Sequence, residues 1–540
     1  MILKVCAISL FLIINVVPTE CMVEKINKTL FSNYRDLQKI MNNLGETERP
    51  KPDENSVMEF RRSMFSVVKK EKDEARTCGQ LIESRGFNYK VYNVTTSDGY
   101  IITIYRIINP TFNGTKLPRP FLLVPGAFWS CPVFLANQKD KQGSLGYYLA
   151  DRCQDVWIIN PRGSVYSRNH THYKPSENRK YYNYTYFDIG EKDIPAAVEL
   201  IKSETGYSQI NVVAYSQGTL ELIVLFSKNP SYERSFHLIF FIGPIGYLGQ
   251  LEGISGTLPR DPISLKLIEM SPGPFPPFFP ILDFSLVAFF CTFSIQIPIC
   301  LEFFSQVSGP DRMQVRLNRL PVYLSLGEPT SPKLVLKILQ DNQNDAIREY
   351  DYGKDENRAI YGQEKPPMIN YQNIPTHKIV LISGENDYIA TSQNVQKLRN
   401  SVNGRFLVDH IVTNPYWGHL DFVFGKDADL YVNEVIFTLT FRYTPSESTI
   451  NQCKKFDTTP ERNSNSYSGT QANGNSGTVV KTDSQSNTFS QTNTNANTVA
   501  EANTSSESKA NTNTDTSSQA NSNSGTVTGT NSQANTGTSS

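Results

Sequence analysis

The run Ile210-Asn211-Val212-Val213 leads into Ala214-Tyr215-Ser216-Gln217-Gly218, and Thr219 to Phe226 follows with the look of a helix. Ser216 therefore stands at a strand-to-helix turn. A tight turn of this kind forces the serine into a strained backbone conformation, and the positions two before and two after it are expected to be small, because strand and helix crowd there. Ala214 and Gly218 are both small. Glycine is the usual residue on both flanks, so Ala214 is a departure, and a serine in an ordinary strand-to-helix loop would carry the same local pattern.

A nucleophilic serine needs a base, and the base needs a carboxylate to hold its tautomer and stabilise the imidazolium that forms. Where the nucleophile sits on a strand-turn-helix, the acid and then the histidine follow on loops after late strands. Of the six histidines, four lie beyond Ser216. His237 falls in an apolar strand-like run, His377 precedes the strand Lys378 to Ser383, and His410 lies within a strand-like stretch. His419 follows the turn-rich Pro415-Tyr416-Trp417-Gly418 and is the candidate base. Gly384-Glu385-Asn386-Asp387 is the loop at the carboxyl end of the strand Lys378 to Ser383, and Asp387 is the candidate acid. Glu385 and Asp421 stand as rivals for that role.

Acyl transfer also needs two preorganised backbone N–H donors for the oxyanion, one of them on the residue after the nucleophile. Gln217 supplies that one. The short apolar run Phe121 to Val124 entering the turn Pro125-Gly126-Ala127-Phe128 makes Ala127 the candidate for the other.

Ser97-Asp98-Gly99-Tyr100, Asn160-Pro161-Arg162-Gly163, Tyr166-Ser167-Arg168-Asn169-His170, Asp193-Ile194-Pro195-Ala196, Ser216-Gln217-Gly218-Thr219, Gly384 to Asp387 and His419-Leu420-Asp421-Phe422 occur in this order. Together they resemble the gastric and lysosomal acid lipase family, from about Cys78 to about Tyr443. The resemblance implies an α/β-hydrolase fold, with a mostly parallel central sheet and an inserted, mainly helical cap. It places the nucleophile on Ser216, the acid on Asp387, the base on His419 and the oxyanion donors on Ala127 and Gln217. It also implies a cap disulfide between Cys291 and Cys300. Two departures stand out: Pro125-Gly126 where the family has His-Gly, and Ala214-Tyr215 where it has Gly-His before the nucleophile.

The ends of the chain concern destination. Lys4, the apolar segment Val5 to Val17 and Pro18-Thr19-Glu20-Cys21 read as a signal peptide over 1–21, too short for the roughly 20 apolar residues of a spanning helix. The expected destination is secretory: extracellular, with a lysosome-like compartment also open, and with no transmembrane segment after signal removal. Asn27, Asn93, Asn113, Asn169, Asn183 and Asn503 begin Asn-x-Ser/Thr triplets, which would carry glycans only in that pathway. Residues 22–76, rich in Lys, Glu and Arg, read as a partly flexible leader. The hydrolase core is expected over 77–248 and 373–450, with the cap over 249–372. Residues 451–540, rich in Ser, Thr, Asn and Gly, cannot bury enough apolar surface to offset ordering entropy and read as a disordered tail. Within it, Asn475-Ser476-Gly477-Thr478-Val479 recurs at Asn523 to Val527.

With 52 basic and 52 acidic side chains, the formal charge is zero, and nothing points to nucleic acid. The expected function is a secreted carboxylic ester hydrolase of lipase type, acting on lipid esters at a lipid–water interface without metal or organic cofactor. The apolar cap, including Phe284 to Ile299, would shelter an acyl chain. The competing class is a silent lipid-binding, storage or matrix protein on the same scaffold.

Overall fold

The computed structural model describes residues 71–444, apart from 139, 141, 177, 178, 258–261, 272, 276–290 and 292–296. The expected signal peptide, most of the leader, Asn27, Asn503, the tail and most of the apolar stretch Phe284 to Ile299 lie outside the described residues.

One sheet is built from β1 (Asn88–Thr95), β2 (Tyr100–Ile108), β3 (Phe121–Val124), β4 (Val156–Asn160), β5 (Asn169–His170), β6 (Ile210–Tyr215), β7 (Phe236–Ile242), β8 (Ile379–Ser383) and β9 (Val408–Ile411). The spatial order is β1-β2-β4-β3-β6-β7-β8-β9, with β5 paired to β2. β1, β2 and β4 are antiparallel neighbours, and every pairing from β4 onward to β9 is parallel. Strands β3, β4, β6 and β8 are buried along their whole length, which is why each reads as an unbroken apolar run. Their side chains alternate between two cores. Phe121, Leu123, Val213, Tyr215, Val380 and Ile382 enter one. Leu122, Val124, Val212, Ala214, Ile379 and Leu381 enter the other.

The longer α-helices among the described residues are α1 (Cys78–Ser84), α2 (Leu145–Asp151), α3 (Ile194–Thr205), α4 (Gln217–Lys228), α5 (Pro262–Glu269), α6 (Ile297–Ser308), α7 (Leu320–Ser325), α8 (Pro332–Asn344), α9 (Lys354–Tyr361), α10 (Ser392–Ser401) and α11 (Glu434–Tyr443). Five of them, α5 to α9, lie in the connection from β7 to β8, which is the helical insertion expected as a cap. α8 begins with Ser331 accepting the N–H groups of Lys333 and Leu334, and Pro332 takes the first helical position, where no amide hydrogen is needed. Its buried Lys337 donates to Tyr186 Oη (3.2 Å) and to Asp341. This neutralised group anchors the insertion to the core segment that carries Tyr186. Among the described residues no helix is long and apolar enough to cross a membrane.

Three motifs far apart in sequence meet in one buried ion group. The fully buried Arg162 donates from Nη1 to Asp98 Oδ2 (2.7 Å) and from Nη2 to Asp193 Oδ1 (2.6 Å), while its backbone N–H reaches Asp193 Oδ2 (2.9 Å). Its guanidinium lies 4.0 Å from the centroid of the Tyr100 ring. The motifs at Asp98, Arg162 and Asp193 thus fasten the β1–β2 turn and the start of α3 to the loop after β4.

Cys78 is bonded to Cys131 and Cys291 to Cys300, and Cys153 is also disulfide-bonded. Asn93, Asn113, Asn169 and Asn183 are exposed. Asp73 is buried and paired with Arg85 (2.6 Å) and Arg319 (2.7 Å), so packed structure begins before α1.

Replacing Arg162 by Ala strands Asp193 in the interior, and we expect a loss of about 3–5 kcal/mol in urea unfolding. Arg162→Lys keeps the charge but not the fork and is expected to recover only part of that loss.

Candidate active site

Ser216 follows the last residue of β6 and immediately precedes α4, with φ 56° and ψ −123°. This left-handed φ is unfavourable for a side chain with a Cβ and persists because the surroundings fix it. The Ser216 N–H donates to Ile242 O (3.1 Å). A Cβ on Gly126 would lie 2.8 Å from Ser216 Cβ, and one on Gly218 would lie 2.9 Å from the carbonyl oxygens of Val124 and Pro125. Ala214 meets no such limit. It pairs with Val124 and Phe241 inside the sheet, so the crowding expected on both flanks falls on Gly218 and Gly126.

His419 lies on the loop after β9 and Asp387 on the loop after β8. His419 Nε2 is 2.8 Å from Ser216 Oγ, and its Nδ1 is 2.8 and 3.0 Å from Asp387 Oδ2 and Oδ1. All three side chains are buried. With the Nδ1 hydrogen donated to Asp387, Nε2 is left to accept the serine proton. Asp387 Oδ1 also accepts the N–H groups of Ile389 (2.8 Å) and Ala390 (2.7 Å), which fixes the carboxylate plane.

The rivals fall elsewhere. Glu385 is exposed, and Asp421 accepts the Gly418 N–H (2.7 Å) instead of facing the imidazole. His237 lies in β7 beside Thr444 Oγ1 (3.1 Å), His377 is exposed ahead of β8, and His410 is part of β9.

Two supports of the imidazole carry no motif. Tyr215 stacks on the His419 ring at 5.2 Å between centroids and 28° between planes, and its hydroxyl donates to His419 O (3.1 Å). Tyr215 thus makes direct contact with the candidate base. Ser308, the last residue of α6, accepts the His419 N–H (2.7 Å) and the Tyr388 N–H (3.2 Å) on its carbonyl and the Leu420 N–H (2.9 Å) on Oγ. One residue of the insertion therefore ties together the acid loop and the base loop. The approach is close: a Cβ on Gly309 would lie 1.9 Å from Asn386 O, and Gly309 has φ 112°.

Gln217 opens α4, where first-turn amides lack intrahelical acceptors and the helix end carries partial positive charge. Its side chain donates to Glu221 Oε1 (2.8 Å). The remaining oxygens, Gln217 Oε1 and Glu221 Oε2, are buried with no hydrogen-bond partner among the described residues. Glu221 is 1% exposed, and burial pushes its carboxyl well above the usual range; the Gln217 donor opposes this and the charge of Asp193 adds to it. A proton on Glu221 is what such an environment demands. Asp421 is raised in the same way, by burial and then by the neighbouring Asp311 charge. Ala127, half-buried after β3, sits between Gly126 and Phe128, whose φ is 62°. Among the described residues no cluster of His, Cys, Asp or Glu is arranged to hold a metal ion.

Residues 78–138 match the model of a partial α/β-hydrolase lipase region, and residues 120–244 match that of the α/β hydrolase fold. Lipase member N of Mus musculus is 29% identical over 376 residues, covering 67% of this chain and 90% of that protein. Gastric triacylglycerol lipase of Bos taurus is 26% identical, over 68% of this chain and 92% of the relative. Lipase 3 of Drosophila melanogaster is 27% identical, over 66% and 91%.

A buried acid that holds its proton when folded and releases it when unfolded makes stability fall as pH rises above the ordinary carboxylate range, by up to about 1.4 kcal/mol per pH unit. Glu221→Gln keeps the amide contact without the ionisable proton. We expect its melting temperature to fall less steeply with rising pH than that of the parent; parallel profiles would show that Glu221 does not hold a proton.

Proposed function

We propose that this chain, which matches the α/β hydrolase fold and is similar to acid lipases, is a secreted lipase cleaving acylglycerols or related neutral lipid esters through a Ser216 acyl-enzyme. The observation that carries the reading is the hydrogen-bonded line from Ser216 Oγ through both nitrogens of His419 to Asp387.

In the first half-reaction His419 Nε2 removes the serine proton as Oγ attacks the ester carbonyl. The carbonyl oxygen becomes an oxyanion held by the N–H groups of Ala127 and Gln217. As it collapses, the imidazolium, stabilised by Asp387, gives its proton to the departing alcohol. Water then repeats the sequence on the acyl-enzyme, releasing the carboxylic acid and restoring Ser216. Each step needs only proton transfer and preorganised dipoles in a site closed to bulk water.

The ester class is supported by the lipase relatives and by the helical insertion between β7 and β8. Secretion is supported by the apolar amino-terminal run, by the disulfides and by the exposure of Asn93, Asn113, Asn169 and Asn183.

A fluorophosphonate probe is expected to label the purified protein and not Ser216→Ala. Hydrolysis of long-chain esters should fall about 10³–10⁴-fold or more in kcat for Ser216→Ala and His419→Ala, with Asp387→Asn close behind. Folded protein that neither labels nor turns over esters would instead support the silent lipid-binding scaffold.

A further inference from the structure

Glu328 lies between α7 and α8 in the β7–β8 insertion, far in sequence from the turn that carries Ala127. Its backbone N–H donates to Phe128 O (2.8 Å), one carboxylate oxygen accepts the Ser130 hydroxyl, and the other accepts the Val165 N–H (2.6 Å). The side chain is 7% exposed. Burial pushes its carboxyl up, while the Ser130 hydroxyl, the Val165 N–H and the charge of Arg168 favour the anion.

The segment gripped in this way is short. Val124 closes β3 at one end, and Cys131 is fixed at the other by the bond to Cys78 and by its N–H on Asn160 Oδ1 (3.0 Å). Between them, Phe128 holds a left-handed φ of 62°, which a phenylalanine keeps only under restraint. Relaxing that residue would rotate the Ala127–Phe128 and Phe128–Trp129 peptide planes and so displace Ala127, whose N–H lies one peptide upstream.

We propose that Glu328 is a positioning residue for the oxyanion hole: it locks the turn from Pro125 to Ser130 so that the Ala127 N–H faces the reacting carbonyl. The insertion and the oxyanion donor are thereby set together. The inference rests on the reading of Ala127 as an oxyanion donor in an ester hydrolase. It adds a residue that touches neither substrate nor the Ser216–His419–Asp387 line.

The test compares Glu328→Ala, Glu328→Gln and Ser130→Ala, with active sites counted by fluorophosphonate titration. Losing one oxyanion donor costs about 10²–10³ in kcat. Glu328→Ala is expected to lose on the order of 10²-fold in kcat with KM within about threefold, and to bind a trifluoromethyl ketone, which mimics the tetrahedral intermediate, more weakly by a similar factor. Glu328→Gln can still accept from Val165 and donate to Ser130, so it should stay within about threefold of the parent. Ser130→Ala removes one hold and should fall between them; if Glu328→Ala does not fold, Ser130→Ala and Glu328→Gln decide the matter. Unchanged kcat per titrated site in the Ala variants overturns the inference, as does a lower kcat with undiminished affinity for the ketone. A parent protein that turns over no ester would refute the proposed activity itself, a result read before any variant is made.

Discussion

The imidazole of His419 has to meet Ser216 Oγ on one side and the Asp387 carboxylate on the other, each at 2.8 Å. No single element can hold it there. The serine comes from a β6–α4 turn, the acid from the loop after β8 and the base from the loop after β9, so their geometry depends on how three parallel strands end. The sheet supplies the coarse placement, because adjacent parallel strands present their carboxyl ends on one edge. The fine placement comes from Tyr215 beneath the ring and from Ser308, whose carbonyl and hydroxyl bind backbone amides of both loops. Through Ser308 the insertion between β7 and β8 is therefore part of the frame that holds the Ser216–His419–Asp387 arrangement.

The interior around this frame handles charge in two ways. Arg162 is paired with two aspartates, which engages every nitrogen of its guanidinium and fixes the outer loops. Among the described residues no ion pair joins Glu221 or Asp421 to a cation, and burial favours their neutral forms. In the proposed mechanism a neutral acid beside Gln217 would be an advantage. A buried carboxylate near the developing oxyanion would oppose its formation, whereas a protonated carboxyl leaves the field of the α4 amino terminus free to act.

Much of this was legible in the sequence. β3, β6 and β8 stand out because buried parallel strands are continuous apolar runs, and the loops at their ends carry Ala127, Ser216 and Asp387 respectively. His419 could be separated from His410 because one follows a turn and the other lies in a strand. What could not be read depends on contacts between distant segments. Ser308 and Glu328 look like ordinary polar residues of an insertion, and only folding brings them beside His419 and Phe128. The Cys78–Cys131 bond was hidden for a related reason, since six cysteines allow 15 pairings and spacing does not choose among them. Tyr215 read as a departure from a family pattern, and its stacking on the base emerges only from the packed ring.

The most direct test of the account is a crystal structure of the protein after reaction with a long-chain alkyl phosphonate. The account predicts a covalent bond to Ser216 Oγ, with the phosphoryl oxygen about 2.7–3.1 Å from the N–H groups of Ala127 and Gln217 and the alkyl chain beneath the β7–β8 insertion. An adduct on another residue, or a phosphoryl oxygen turned away from both amides, would contradict it.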